Sequence, residues 1–165
     1  MRSRHDDFVV MVAGDTICAL PLGAVREIVF LPELVTPPTS PPILAGLLNL
    51  QGEAIPVVAL DVLFRETRCE PGLYAPVVIV RVVGQSLGVL VRRVLAIAAV
   101  ETESLLPLPP GHSFQDCATG SFAWRDGPVV ALCPERLLTQ QETRRLESFR
   151  DLERERHRQL EAVAP

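Results

Sequence analysis

The feature that most constrains the fold is an internal repeat of β-rich segments. The pentapeptide PVVAL occurs at 56–60 and again at 128–132, 72 positions later. The stretch FVVMVAGDTICALPL (8–22) resembles VVIVRVVGQSLGVLV (77–91), and a shift of 70 positions places Gly14 of the first on Gly84 of the second. Each consists of two apolar runs around a glycine turn, a pattern typical of a β-hairpin. Similar offsets at both ends of the unit favour a duplication over a chance alignment of two valine-rich segments.

Each hairpin is followed by the same succession of elements. A third β-rich stretch comes next, AVREIVFL (24–31) or RVLAIAAV (93–100), and then a glycine turn and the PVVAL strand. Proline-rich stretches lie between them at 32–42 and 107–111. Because proline cannot donate to a β-ladder, we expect these stretches to be extended crossings outside the sheets. Short strands at regular spacing with Gly and Pro turns favour small closed barrels over a layered α/β fold.

The chain changes character after Pro134. Acidic and basic residues three apart predict a helix supported by surface ion pairs; the pairs are Glu147–Arg150, Asp151–Arg154 and Glu155–Arg158. The apolar stripe is thin and consists of Leu146, Phe149, Leu152 and Leu160. It predicts docking near Leu146–Leu152 and fraying beyond. Residues 141–165 are therefore interpreted as a charged helical tail, either solvated or binding a partner.

Composition and charge exclude several classes of protein. With 48% hydrophobic and 22% charged residues the chain is expected to fold. A net charge of −4 gives no reason to expect a nucleic-acid partner, and no apolar run is long enough for direct membrane insertion. The four cysteines form no C-x-x-C pair and no histidine has a partner at metal-ligand spacing, so we expect buried cysteines, no metal, no cofactor and a cytoplasmic location.

The sequence contains no recognisable catalytic constellation. His5, His112 and His157 fall in the N-terminal tail, a proline-rich loop and the charged helix, outside the β-units. No nucleophile-elbow, phosphate-loop or dinucleotide-binding motif is present. A β-rich chain of this kind is expected to act through its surfaces, as a binding protein and not as an enzyme.

Three stretches resemble the CheW-like domain of bacterial chemosensory systems. They are ALPLGAVREIV (19–29), PPILAGLLNLQGEAIPVVAL (41–60) and VVIVRVVGQSLGVLVRRV (77–94), and the strongest motif is Gly46-x-x-Asn49-Leu50-x-Gly52 followed by Pro56-Val57-Val58. The resemblance implies a mainly β fold of two packed SH3-like five-stranded β-barrels with a C-terminal α-helix. These would form one domain over residues 8–140, with subdomains near 8–70 and 71–140 that can exchange strands.

The same resemblance implies a function. CheW-like coupling proteins are non-enzymatic adaptors that link the cytoplasmic tips of methyl-accepting chemoreceptors to a CheA-type histidine kinase, in the cytoplasm at membrane-bound receptor arrays. An alternative keeps the fold and changes the role: a regulatory module that binds a response regulator or another cytosolic protein through the helix of residues 134–165.

The resemblance also suggests which residues contact partners. Val25 and Glu27 match a strand that faces partners in the family, and Gly46, Asn49 and Gly52 match the receptor-side groove. Leu87 and Val89 are expected to be exposed strand residues that add apolar contact area. The two glycines could instead supply turn geometry, and Asn49 could bind its own backbone.

Two departures from the family pattern fall on expected surface positions. Gln51 stands where the family has arginine, which removes a charge and a bidentate donor. Arg92 stands in Val91-Arg92-Arg93-Val94, where the family has an aspartate. Because the core positions are kept, we interpret Gln51 and Arg92 as partner-contact residues of an intact fold, in which either the partner has changed or binding to the kinase or receptor has been lost.

Overall fold

The computed structural model describes residues 4–30, 33–36, 42–64, 74–108, 117–125, 127–138 and 140–163. Its strands are β1 (His5–Ala13), β2 (Thr16–Pro21), β3 (Val25–Phe30), β4 (Leu44–Leu50), β5 (Glu53–Ala59), β6 (Pro76–Val82), β7 (Gln85–Leu90), β8 (Arg93–Glu101), β9 (Ala118–Trp124) and β10 (Gly127–Leu132). The helices are α1 (Leu60–Leu63) and α2 (Gln140–Val163), and short 3₁₀ turns occupy Leu22–Ala24, Thr102–Ser104 and Pro134–Arg136. The predicted mainly β fold with a C-terminal helix is confirmed.

The strands form two five-stranded sheets that share one internal order. Sheet A runs β8-β1-β2-β10-β9 and sheet B runs β3-β6-β7-β5-β4. Each sheet therefore takes its central hairpin from one half of the chain and its other three strands from the other half. A division of the chain at residue 70 does not separate the two sheets.

The register of the strands shows which residues correspond. The first hairpin closes at the pair Ala13–Thr16 and the second at Val82–Gln85, so equivalent positions lie 69 residues apart. The 70-residue alignment of the sequences, which places Gly14 on Gly84, is therefore wrong by one position. Valine-rich strands align almost equally well at neighbouring offsets, and the pairing decides between them.

The PVVAL strands correspond as strands but not residue by residue. The β4–β5 turn closes at Leu50–Glu53 and the β9–β10 turn at Trp124–Gly127, which are 74 residues apart. The 72-residue offset of the repeated pentapeptide is thus shifted by two positions from the structural equivalence. A shift of two keeps every side chain on the same face of its strand, which is why both copies pack well.

The central strands are apolar on both faces because both faces are buried. Met11 on β1 and Val78 and Val80 on β6 pack into a cluster that contains residues of both sheets. Val10 on β1 lies in a second cluster beside sheet A, and Ile79 on β6 lies in a third beside sheet B. This two-sided burial accounts for continuous valine runs in place of an alternating pattern.

One residue of the first proline-rich stretch, and the residue just before the second stretch, pair with edge strands of the sheets. Val35 pairs with Leu47 of β4, and Leu106 pairs with Ser121 of β9, each through two backbone hydrogen bonds. The expectation of a crossing outside the sheets is wrong at Val35, which shields the open edge of β4; Leu106 precedes the second stretch and does not test the expectation there. Residues 37–41 and 109–111 are outside the described residues. In the part of the chain that the structure describes, no helix is long and apolar enough to span a membrane.

Candidate partner-binding surface

The β4–β5 hairpin presents the Asn49–Gly52 motif at one end of sheet B. Gln51 and Gly52 form the turn with φ of 52° and 86°, the left-handed region that a tight type I′ hairpin requires. The Asn49 side-chain oxygen accepts a hydrogen bond of 3.0 Å from the Gly52 backbone N–H. Asn49 and Gln51 are exposed. Asn49 thus braces the turn and still presents its side chain at the surface.

Gly46 is required by a close approach of two backbones. It lies at a β-bulge on β4, where the register with β5 shifts between Leu44 and Gly46. A Cβ on Gly46 would lie 2.7 Å from Leu34 Cβ and 3.1 Å from the Val35 carbonyl oxygen. Gly46 is buried. The structure therefore gives this glycine a packing role, and a direct contact with a partner would need the 33–36 segment to move.

Strand β3 forms the opposite edge of sheet B in the strand order and carries Val25 and Glu27. Val25 is half-buried and packs against the central cluster, whereas the Glu27 side chain is exposed. The next residues along the strand expose large apolar side chains, since Ile28 is exposed and Phe30 is 70% exposed. Phe30 also makes an edge-to-face contact with Tyr74, with ring centroids 6.4 Å apart. The apolar surface of β3 is thus centred on Ile28 and Phe30 more than on Val25.

Arg26 connects β3 to the β4–β5 hairpin. Its Nη1 donates to Glu53 Oε2 at 3.0 Å and to Ser86 Oγ at 3.1 Å, and its Nε lies 3.5 Å from Glu27 Oε1. Arg26 is the extra residue of a β-bulge, because the register with β6 shifts between Val25 and Glu27. The sequence reasoning missed Arg26. Two adjacent charges inside an otherwise apolar strand, as in VREIVF, break the period-two pattern and could have indicated the bulge.

Leu87 and Val89 are not exposed. They are 5% and 0% exposed and lie in the cluster between the sheets. The expectation that they offer apolar contact area is wrong, because β7 is the middle strand of sheet B and both of its faces are covered. Arg92 is exposed, and its backbone N–H donates to the Val12 carbonyl at 2.8 Å where the chain crosses from β7 to β8.

Helix α2 lies against β5 and extends over the β4–β5 hairpin. Asn49 and Gly52 line a cavity of about 360 Å³ together with Arg154 and Arg158 of α2. A second cavity of about 290 Å³ lies between the β6–β7 hairpin and the start of α2, and Arg150 lines it. The surface that carries the Asn49–Gly52 motif is therefore partly covered by the chain's own helix.

Helix α2 differs from its predicted form in three respects. It continues to Val163 without fraying beyond Leu152. Leu152 is 58% exposed and takes no part in docking, whereas Arg150 is only 9% exposed. Among the described side chains, the three predicted Glu–Arg or Asp–Arg pairs form no contact within 4.0 Å; Gln159 instead donates to Glu155 at 3.5 Å, four residues back, the better spacing on a helix. The side chains of Leu146 and Phe149 are outside the described residues.

The pKa of the Cys133 thiol, next to the residues that line the smaller cavity, is shifted. Burial raises the pKa of the Cys133 thiol, and the hydrogen bond that its Sγ donates to Glu135 Oε2 at 3.0 Å raises it further. The same hydrogen bond lowers the pKa of Glu135. Cys18 and Cys117 are buried, and Cys69 is outside the described residues. Within the described ranges no three His, Cys, Asp or Glu side chains are grouped as metal ligands.

Comparison with known proteins gives two positive findings. The family model of the CheW-like domain matches residues 7–142. Among solved structures, the fold is similar to that of the scaffolding protein TtCheW from Thermoanaerobacter tengcongensis, with a TM-score of 0.77 and 22% sequence identity over 84% of this chain and 96% of that one. No curated protein sequence matches the chain.

Proposed function

The chain belongs to the CheW-like domain family, and we propose on that basis that it is a non-catalytic adaptor of a chemosensory array. In this role it couples the cytoplasmic tips of chemoreceptors to a CheA-type histidine kinase through protein–protein contacts. Its location is then the cytoplasm, at the receptor array, and it needs no cofactor.

The observation that carries the proposal is the exposed apolar surface of β3. Ile28 and Phe30 project from an edge strand of sheet B, and no described strand pairs with the outer side of β3. Exposed apolar side chains on an open strand edge favour contact with another folded domain. We assign this surface to the regulatory domain of the kinase, with Glu27 and Val25 at its border.

The β4–β5 hairpin supports a second contact. Its turn is rigid, because Asn49 holds Gly52, and Arg26 ties the following Glu53 to β3. A pre-organised polar turn loses little conformational entropy on binding. We assign Asn49, Gln51 and Gly52 to the receptor side of the adaptor.

The test compares Ile28→Glu with Ile97→Glu. The two isoleucines occupy equivalent positions 69 residues apart, opposite Val78 and Val9 respectively, and both are exposed. Titration calorimetry would measure binding of each full-length variant to the purified CheA-type kinase of the same organism. Loss of one buried isoleucine and introduction of a charge should weaken binding about tenfold or more for Ile28→Glu and less than about twofold for Ile97→Glu.

The results distinguish an error in the contact surface from an error in the proposed adaptor function. Equal loss in both variants would remove β3 as the contact surface, and a wild-type chain that binds neither kinase nor chemoreceptor would refute the adaptor. Circular dichroism of both variants checks that the charges have not unfolded the sheets.

A second candidate function is favoured by one observation on α2. Leu152 and Leu160, two apolar residues of this charged helix, are 58% and 70% exposed. A regulatory module that binds a response regulator would use them as anchors. Leu152→Glu should then abolish binding to the response regulator, whereas the adaptor predicts that this variant binds the kinase as well as the wild type does.

A further inference from the structure

Helix α2 lies against sheet B, and its Arg150 is nearly buried there. Residues four apart on a helix share one face, and Arg150, Arg154 and Arg158 line the two cavities beneath α2. Leu152 lies on the other side of the helix and is exposed. Among the described side chains of α2, the one that is nearly buried is therefore charged, whereas an amphipathic helix docks best through apolar residues.

The interface under α2 is poorly matched in chemistry. The sheet side of the larger cavity is mainly apolar, with Val35, Leu47, Leu48 and Ala54 beside Asn49 and Gly52, whereas α2 contributes Glu153, Arg154, Arg158 and Glu161. Arg150 is nearly buried, and its Nε has no hydrogen-bond partner among the described residues. A buried donor without a partner weakens the docked state.

The interface is also poorly filled. Cavities of about 290 Å³ and 360 Å³ flank the region where α2 lies against β5. Unfilled space removes the dispersion contacts that hold a well-packed helix in place. A helix fits against this surface, but α2 leaves part of the space between itself and the sheet unfilled.

We propose that the outer face of the β4–β5 hairpin is a docking surface for an α-helix of another protein, and that α2 is its weakly held resting occupant. The partner is a helix with an apolar face, because such a face would meet Leu47, Leu48 and Ala54 without burying a charge. The partner helix displaces the segment of α2 beyond Arg150. This inference rests on the proposed function, in which the helical chemoreceptor tip is the ligand.

Competition by a tethered helix lowers the apparent affinity for the partner. If α2 covers the hairpin in about nine of ten molecules, the partner binds about tenfold more weakly than it would to an open hairpin. Loosening α2 must then increase the affinity and tightening it must decrease the affinity. These opposite effects distinguish displacement from a simple loss of contacts.

Two full-length variants move the equilibrium in opposite directions. Arg154→Pro removes a backbone donor in the middle of α2 and breaks the segment that covers the hairpin. Arg150→Leu removes the buried Nε that has no hydrogen-bond partner among the described residues, puts an apolar side chain in its place and so stabilises the docked helix. Arg156→Ala is the matched control, since Arg156 is exposed and lines neither cavity.

The assay is calorimetric titration with the purified cytoplasmic fragment of a chemoreceptor from the same organism, alongside amide exchange at Asn49–Ala54. Relative to wild type, Arg154→Pro should bind about tenfold more tightly and Arg150→Leu about threefold more weakly, with Arg156→Ala unchanged. Amide exchange at the hairpin should become faster in Arg154→Pro and slower in Arg150→Leu. Unchanged or weaker receptor binding by Arg154→Pro overturns the proposal.

A measurement of kinase binding distinguishes failure of the displaceable-helix proposal from failure of the adaptor role. The β3 surface is not part of either cavity, so all three α2 variants should bind the kinase as the wild type does. Normal kinase binding with no gain for the receptor fragment refutes the displaceable helix alone. Absence of both interactions refutes the adaptor and the displacement together, whatever the exchange data show.

Discussion

The bulge on β4 gives a sharp test of how the hairpin is held, through the substitution Gly46→Ala. The added Cβ would lie 2.7 Å from Leu34 Cβ and 3.1 Å from the Val35 carbonyl oxygen. Both atoms are fixed by the main chain, so rotation of a side chain cannot relieve the contact. The 33–36 segment must therefore move away from β4.

The cost follows from the bonds that this movement breaks. Val35 N donates to Leu47 O at 3.0 Å, and Leu47 N donates to Val35 O at 2.7 Å. At about 0.5–1.5 kcal/mol net for each bond, the free energy of unfolding should fall by about 1–3 kcal/mol. With a urea m-value of about 2 kcal/mol per molar, the midpoint should fall by about 0.5–1.5 M.

Urea unfolding followed by circular dichroism measures this shift, and amide exchange at Leu47 locates it. The control is Gly23→Ala, because a Cβ there meets no atom within 4 Å, and its unfolding free energy should change by less than about 1 kcal/mol. An unchanged midpoint for Gly46→Ala, with Leu47 still protected, would show that the close approach does not constrain residue 46.

Three further substitutions test other parts of the surface. Arg26→Met removes the link to Glu53, and we expect urea unfolding to show a loss of about 1–2 kcal/mol that shrinks in high salt; a salt-independent loss would contradict the ion pair. Val83 has φ of 48° at an exposed turn, so Val83→Asn should raise the melting temperature by stabilising the fold by about 1 kcal/mol, and a decrease would refute the strain. Burial and the hydrogen bond to Glu135 raise the pKa of Cys133, so less thiolate is present at pH 8 and iodoacetamide should react slowly there. Glu135→Gln should speed the alkylation of Cys133, measured by peptide mass spectrometry, and equal rates would remove the carboxylate as a cause.

The sequence predicts the local elements well because their signals are local. Hairpins, turns and the C-terminal helix follow from glycine positions and apolar runs, and the family motif identifies the fold. The exposure of Leu87 and Val89 could not be read in this way, because a strand covered on both faces shows no alternation. The predicted offsets between the two copies of the repeat were also wrong, since two valine-rich strands align with each other at several offsets.

The expectation that Leu152 takes part in the docking of α2 was wrong for a different reason. Its apolar stripe favoured docking through Leu152, which the structure leaves exposed. The preceding segment fixes the start of the helix, because Leu137 is buried in the central cluster and the 3₁₀ turn Pro134–Arg136 follows β10 directly. The apolar pattern of α2 alone therefore does not predict how the helix lies on the sheet.

The two departures from the family pattern fall where the fold tolerates them. Gln51 occupies a left-handed turn position at φ of 52°, where glutamine and arginine meet the same backbone strain. Arg92 holds the crossing between the sheets through its backbone N–H, so the hydrogen bond does not depend on its side chain. Both differences from the family pattern therefore alter the charge presented at the surface and leave the sheets unchanged. Because recognition depends on that surface, a partner matched to this chain should differ in charge from the partners of family members that carry arginine and aspartate there.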